Sequence, residues 1–194
     1  MECAGILARQ GYLVDSSVTP ATSWSKYPGL HGRGGPDFRA YGAQPFAIRP
    51  CGTVLLEIPV TVLVTSRLLQ RRPHLLPWYT VIAKLSSLIL GSQRVTSQPL
   101  WLRPYPGTDI DKLRLVWSEA MRRGLQHVVL MFHSSELMPG GSPYRPTPES
   151  VSELLDLLGR FFAEIRGTGA GSATLTMAAS ELARSATANG EACV

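Results

Sequence analysis

The sequence has few cysteines and no long apolar run, and each absence excludes a class of protein. Its 194 residues include 3 cysteines, widely spaced and without a CxxC pair. Isolated cysteines in odd number argue against a disulfide framework and against a zinc knuckle, and they favour reduced thiols. No uninterrupted apolar run reaches the ~18–20 residues that a membrane-spanning helix needs. We therefore expect no transmembrane segment.

Signals for export and for nucleic-acid binding are also missing. The first ten residues contain Glu2 and Arg9 and lack a basic segment followed by an apolar block, so no secretory signal is predicted. The 19 Lys+Arg outnumber the 14 Asp+Glu, for a net charge of +5. These cations are scattered in pairs such as Arg122-Arg123 and do not form a stripe with interleaved aromatics. We expect a cytoplasmic protein with no nucleic-acid partner.

What the sequence does contain is enough apolar material for one folded domain. Hydrophobic residues make up 44% of the chain and charged residues 17%. This composition excludes a disordered chain, and the length suits one domain with a sizeable core. We predict that the domain covers residues 2–184 and that residues 185–194 form a disordered tail.

Short apolar runs alternate with amphipathic helical stretches. Strands are predicted at the short apolar runs 12–14, 53–61, 127–132 and 173–176. Helices are predicted where apolar residues recur at helical spacing, over 2–10, 108–124, 147–167 and 178–184, while 66–71 and 78–90 are ambiguous. Residues 19–44, rich in Gly, Pro, Ser and aromatics, predict a long irregular loop. The alternation predicts an α/β protein with a parallel sheet covered by helices.

Two of these helices carry detailed predictions. Thr108 is the predicted cap of the helix over 108–124, which Gly124 closes. In the helix over 147–167, Pro148 takes the first helical position. The predicted buried face of that second helix comprises Val151, Leu154, Leu155, Leu158, Phe161, Phe162 and Ile165.

His133 is the strongest candidate for chemistry. It directly follows the run 127–132, whose continuous apolar character predicts a strand buried on both faces. A histidine at the carboxyl edge of a parallel sheet can act as general acid or base. The alternative is a histidine that only hydrogen-bonds the loop backbone. Glu136, three residues further on, could orient the imidazole or cap the loop.

Asp15 ends another predicted strand and is the second candidate. The default interpretation of an aspartate in such a turn is an Asx-turn or a cap. None of the four histidines has a metal-ligand spacing with another His, Asp or Glu, so no metal ligands are predicted. The sequence also lacks GxSxG, P-loop, GxGxxG and HExxH motifs.

Four segments give the sequence a resemblance to the polysaccharide deacetylase family, also called the NodB-homology group or carbohydrate esterase family 4. They are GYLVDSSVTP at 11–20, GPDFR at 35–39, LLEIPVT at 55–61 and residues 130–144. The resemblance covers roughly residues 2–183 and is most specific in the first and last segments. The order and spacing of the four segments resemble those of a bacterial branch of the family that is associated with cell-wall or surface polysaccharides.

The resemblance implies a fold and a reaction. Family members form a distorted or incomplete (β/α) barrel and bind a divalent metal, zinc being the metal expected, through one Asp and two His. A second Asp is the general base, and His133 matches the late histidine that acts as general acid. The implied reaction is hydrolysis of N-acetyl groups on a polysaccharide. Asp15 and Glu136 would support this site.

The chain departs from the family at its beginning. The metal-binding motifs of the family precede the segment matched by 11–20, and here only one helix precedes it. We therefore expect an incomplete barrel without its first strands, no metal ligands, and a truncated chain that is inactive alone. An open sheet edge at 12–14 would favour self-association. The late motif is also one residue longer than usual, unless Met131 takes the position of the usual Leu.

A different class of function remains open. The chain could be a non-catalytic module that binds carbohydrate or assembles with a partner. Trp24 and Phe38 in the long loop, and Tyr144 in the loop after His133, are the candidate substrate-binding residues. The alternative for the loop aromatics is packing against the core. Peripheral membrane binding through residues 78–90 is a third hypothesis.

Overall fold

The computed structural model describes residues 2–28, 32, 34–64 and 99–188. The ambiguous segments 66–71 and 78–90, and residues 189–194 of the predicted tail, lie outside this part. The helices are α1 (Glu2–Arg9), α2 (Ile110–Arg122), α3 (Pro148–Gly167) and α4 (Leu175–Ala188), with 3₁₀ turns at Pro50–Gly52 and Ser134–Leu137. The strands are β1 (Val14–Asp15), β2 (Phe46–Ile48), β3 (Leu55–Glu57), β4 (Val62–Leu63) and β5 (Leu100–Trp101).

The strands form two small sheets. The first has the order β1-β3-β2, in which β1 and β3 run parallel and β2 is antiparallel to β3. The second pairs β4 with β5 in antiparallel fashion. Among the described strands, β1 lies at a sheet edge, and α4 packs against it. The incomplete barrel and the self-association stay predictions.

The predicted strand over 53–61 is shortened to β3, and β4 begins just after the predicted range, at Val62. Pro59 lies between them, and proline has no N–H to donate to a ladder. The chain changes partners there: β3 pairs with β1 and β2, whereas β4 pairs with β5. The proline therefore separates the two sheets.

The first two helices confirm predictions based on local signals. α1 ends before Gly11, whose φ of 80° is the left-handed conformation of a helix terminator. The Tyr12 N–H then donates to Leu7 O at 3.0 Å. α2 begins one residue later than predicted, since Asp109 and not Thr108 is its cap and accepts from Lys112 N at 2.9 Å. Gly124 (φ 68°) follows its end, as predicted.

α3 confirms the predicted helix and corrects its buried face. Thr147 caps it and Pro148 takes the first position. Leu155 and Phe162, predicted to be buried, are 53% and 47% exposed, whereas Leu157 is buried. The buried arc is centred nearer to Leu157 and Phe161, which leaves Leu155 and Phe162 on its rim.

The prediction of a strand over 127–132 is wrong, because the segment is not a regular strand. Its backbone nevertheless makes two hydrogen bonds to neighbouring segments. Val129 O accepts from Thr61 N at 3.1 Å, and Met131 N donates to Leu102 O at 3.2 Å. The N–H of the same Val129 donates to the Thr61 hydroxyl oxygen at 2.8 Å. A side chain thus takes the place of a backbone acceptor, and the ladder is interrupted. The segment is half-buried and not buried on both faces.

The predicted strand over 173–176 is also wrong, because α4 begins within it. The Thr174 hydroxyl accepts from Met177 N at 3.2 Å, and Thr174 O accepts from Ala178 N at 3.0 Å. Thr174 therefore caps a helix. This helix continues to Ala188, into the stretch predicted to be a disordered tail.

The main core lies where α2 and α3 pack together and against β4. Leu113, Val116 and Ala120 on α2 meet Leu157 and Phe161 on α3. In the loop over 19–44, the described residues are irregular, as predicted, with isolated bridges in place of strands. Of the helices described, none has the length and hydropathy required to cross a membrane.

Candidate functional site

The loop that carries His133 is fixed by a buried carboxylate. His133 is exposed and lies at the start of the 3₁₀ turn Ser134–Leu137. Its backbone N–H donates to Glu136 Oε1 at 3.0 Å, and its carbonyl accepts from Glu136 N at 2.9 Å. Of the two roles predicted for Glu136, these contacts support capping of the loop. Within the described residues the imidazole makes no cap hydrogen bond to the turn, and His133 is exposed.

Glu136 is fully buried and is neutralised by Arg103, which sequence reasoning did not single out. Arg103 Nη2 donates to Glu136 Oε1 at 2.9 Å, and the Arg103 side chain is itself almost fully buried. A buried carboxylate without a cation would be costly, so the pair depends on both members. Since Glu136 also accepts from the His133 backbone, Arg103 anchors the histidine loop.

Arg103 also organises two tyrosines. Its guanidinium carbon lies 4.4 Å from the Tyr105 ring centroid and 5.6 Å from that of Tyr144. The two rings meet edge-to-face, with centroids 5.9 Å apart. Cation–π contact with a buried guanidinium holds both rings in place. Tyr144, a predicted substrate-binding residue, therefore belongs to the same cluster as Glu136 and the His133 loop.

Two clefts flank Tyr105. The first, which we call the acidic cleft, has a volume of about 600 Å³ and lies between the 105–109 loop and α3. Its charged lining residues are Asp109, Glu153, Asp156, Arg145 and Arg160. The carboxylates outnumber the guanidinium groups, so this cleft favours a cationic or neutral polar ligand.

The second cleft, the basic cleft, has the opposite balance. It has a volume of about 420 Å³ and is lined by Arg103 and Lys112 without any carboxylate among the described lining residues. Trp101 contributes an aromatic wall, and Tyr105 lines both clefts. Tyr105 and Thr108 thus line two clefts of different charge.

A pair of carboxyl groups lies at the carboxyl ends of β1 and β3. Asp15 and Glu57 are register partners in the parallel pair. Glu57 is fully buried and accepts from Val18 N at 2.9 Å, while its Oε2 has no hydrogen-bond partner among the described residues. Burial, and then the negative charge of Asp15, raise the pKa of Glu57 to about 7.

The Asp15 carboxylate makes the local contacts that its default interpretation predicted. Its Oδ1 accepts from Ser16 N at 2.8 Å and from the Ser17 hydroxyl at 2.7 Å. No hydrogen bond or ion pair joins it to His133 in the part of the chain described. The sequence signal that could have found Glu57 is an acidic residue inside the apolar run 53–61.

The aromatic residues predicted to bind substrate separate into two groups. Trp24 donates from Nε1 to the Thr19 hydroxyl at 2.8 Å and meets Trp101 edge-on, with centroids 6.3 Å apart. Phe38 packs edge-on against Tyr41 at 5.6 Å. These contacts favour packing of the loop on the protein, the alternative left open by the sequence. Tyr144 is apart from them, beside Arg103.

The described residues do not provide a site for the divalent metal that the resemblance implies. Among residues 2–28, 32, 34–64 and 99–188, no three His, Cys, Asp or Glu side chains are grouped so that they could hold a metal ion. Asp15 and Glu57 are only two, and zinc sites use at least three protein ligands.

Comparison of the chain with protein-family models, with curated proteins and with solved structures finds no match.

Proposed function

We propose that this protein is of the polysaccharide deacetylase type and that the described part binds an N-acetylated polysaccharide and presents His133 as the proton donor. The resemblance of segments 11–20 and 130–144 motivates the proposal. The observation that carries it is the Arg103–Glu136 pair, which fixes the backbone of an exposed histidine. Rigid support of this kind is what a positioned general acid requires.

In this hydrolysis the oxygen of a water molecule bonds to the acetyl carbon, the carbon–nitrogen bond breaks and acetate is released. His133 would give its proton to the nitrogen, which leaves as the amine. Histidine is the residue type suited to this transfer near neutral pH. Tyr144, whose ring is 41% exposed beside Arg103, offers an apolar face on which a sugar ring can stack. No step is assigned to a metal, because the described residues do not supply its ligands.

A non-catalytic carbohydrate-binding module is the second candidate. The exposed Tyr144 ring beside Arg103 favours it, because stacking on a sugar requires no catalytic group. Both candidate functions require binding of the polysaccharide. They differ in whether His133 lies next to the acetamido group of the bound sugar.

Side-chain NMR of the histidines during titration with tri-N-acetylchitotriose tests the proposal. We expect the His133 imidazole signals to shift on binding and those of His127, which is half-buried, to stay in place. A Glu136→Gln variant should weaken the His133 response, because the buried pair that holds the loop is lost.

Binding without any response at His133 would favour the carbohydrate-binding module. No binding at all would contradict both candidates. The chain alone, with zinc added, is expected to release no acetate from the oligosaccharide, and acetate release would show that metal ligands exist elsewhere in it.

A further inference from the structure

We infer that the acidic cleft binds a zwitterionic ligand of the amino-acid class, whose carboxylate pairs with Arg145. The inference goes beyond the proposed function, because it concerns a second ligand that is not the N-acetylated sugar. It starts from a positive charge without a counter-charge. Arg145 is only 5% exposed, and it lines the cleft.

Arg145 differs from two other deeply placed arginines in having no carboxylate partner. The side chains of Arg103 and Arg123 are 7% and 9% exposed, and both form ion pairs, with Glu136 and Glu119 respectively. No ion pair includes Arg145 among the described residues. A buried charge is normally paired, so the absence of a partner at Arg145 requires an explanation.

The guanidinium group of Arg145 also has donors to spare. Of its five N–H groups, the described contacts use one, since Nη2 donates to Pro104 O at 2.7 Å. Its buried Nε has no hydrogen-bond partner in the described ranges. A neutral carbonyl satisfies one donor and leaves the charge uncompensated. An anionic group in the cleft would both accept from the free donors and neutralise the charge.

The chain itself offers little alternative as a source of this negative charge. It has 14 Asp+Glu, and all of them except Glu191 lie in the described ranges, where none pairs with Arg145. Segment 65–98, which is outside those ranges, contains no acidic residue. The counter-charge of Arg145 is therefore assigned to a ligand in the cleft.

The other charges of the cleft determine the rest of the ligand. Glu153 and Asp156 line it from α3 and are exposed, and Asp109 lines it from the start of α2. Arg160 is the second cation, so carboxylates are in excess over guanidinium groups. This excess would repel a dianion such as phosphate. A ligand with one carboxylate and one ammonium group is neutral overall and complements both signs of charge.

The uncharged part of the lining suits an aromatic body. Tyr105 and Leu157 line the cleft, and the Arg103 guanidinium carbon lies 4.4 Å from the Tyr105 ring centroid, which holds that ring in place. A second aromatic ring can pack against it. The volume of about 600 Å³ is within the range of small-ligand sites. Phenylalanine is therefore a suitable probe.

Calorimetry at low salt with three ligands of nearly equal shape tests the inference on the unaltered protein. Phenylalanine carries both charges, phenyllactate lacks the ammonium group, and phenylalaninamide lacks the carboxylate. We expect phenylalanine to bind most tightly and phenylalaninamide about thirtyfold more weakly, because loss of one partner of a buried charge pair has an effect of this size. Inorganic phosphate should bind more weakly than phenylalanine.

Substitutions in the full chain identify the residues. Arg145→Met removes a buried charge without a partner and one hydrogen bond to Pro104 O, so it should fold, and it should weaken phenylalanine binding about thirtyfold. Arg184→Met, an exposed change of the same type on α4, is the matched control and should leave binding unchanged. Glu153→Gln combined with Asp156→Asn should reduce the preference for phenylalanine over phenyllactate about fivefold.

Four results would overturn the inference. They are no binding of phenylalanine to the wild type, equal binding of phenylalaninamide, unchanged binding in a folded Arg145→Met variant, and tighter binding in Glu191→Gln, which would identify Glu191 as the counter-charge. The ligand series needs no substitution, so it decides the matter even where Arg145→Met is unfolded. None of these measurements uses the acetylated oligosaccharide or the His133 signals, so failure here is distinct from failure of the proposed function.

Discussion

Replacement of Glu57 by Gln should remove a pH-dependent term from the stability of the protein. Glu57 is fully buried, and its pKa is raised from 4.5 to about 7 in the folded state. The folded protein therefore binds a proton on Glu57 in a pH range where the unfolded chain has released it. The stabilisation is fully present below about pH 4.5 and is lost as the pH rises through about 7.

The magnitude follows from the size of the shift. One pKa unit corresponds to about 1.4 kcal/mol, so the raised pKa of Glu57 represents about 3 kcal/mol between the two ends of this range. Glutamine is neutral at every pH, and its amide oxygen can still accept from Val18 N as Glu57 Oε1 does. We expect the free energy of unfolding of Glu57→Gln, relative to wild type, to rise by about 3 kcal/mol from pH 4.5 to pH 8.

Urea denaturation of both proteins across this pH range measures the difference directly. Glu181→Gln, an exposed substitution on α4, should show a flat difference and controls for the change in net charge. Asp15→Asn separates the two causes: it removes the neighbouring charge, so the term should become smaller without vanishing, because burial is the larger cause. A difference between Glu57→Gln and wild type that is equal at both pH values would refute the reasoning.

Three further sets of substitutions test the buried ion pair, the buried face of α3 and the cap of α2. Glu136→Gln should destabilise the protein at neutral pH by about 3 kcal/mol in urea denaturation, since it leaves Arg103 buried without its counter-charge; an unchanged midpoint would contradict a buried pair. Phe161→Ala should cost about 3–5 kcal/mol and Phe162→Ala much less, because Phe161 is 2% exposed and Phe162 is 47% exposed. Equal losses would place the buried face of α3 incorrectly. Asp109→Ala should cost about 1 kcal/mol through the lost helix cap, while Asp109→Asn should retain most of it.

The helices could be predicted because their signals are local. Gly11, Pro148 and the spacing of apolar residues in α3 each act within one or two helical turns, and the structure confirms them. The strand over 127–132 was wrong because a ladder depends on the partner. Here that partner is Thr61, 68 residues away, whose hydroxyl interrupts the backbone pairing.

The same limit applies to the candidate site. His133 and Glu136 were found because they are close in sequence to an apolar run. Arg103 was not, since its carboxylate partner is 33 residues away and nothing near Arg103 marks it as buried. Glu57 could not be recognised from the sequence, because its burial and its position beside Asp15 arise only when β1 and β3 pair. Residues close in sequence were therefore enough to predict the histidine loop, whereas the buried charges that support it could be recognised only in the tertiary structure.

Arg103 makes the energies of its neighbours interdependent. Its guanidinium group is shared by the Glu136 carboxylate and the Tyr105 and Tyr144 rings. When one of these partners is removed, the guanidinium group can shift, and its remaining contacts change in strength. The free-energy costs of single substitutions at Glu136, Tyr105 and Tyr144 should therefore not add, and double-mutant cycles among them should give coupling energies on the order of 0.5–3 kcal/mol.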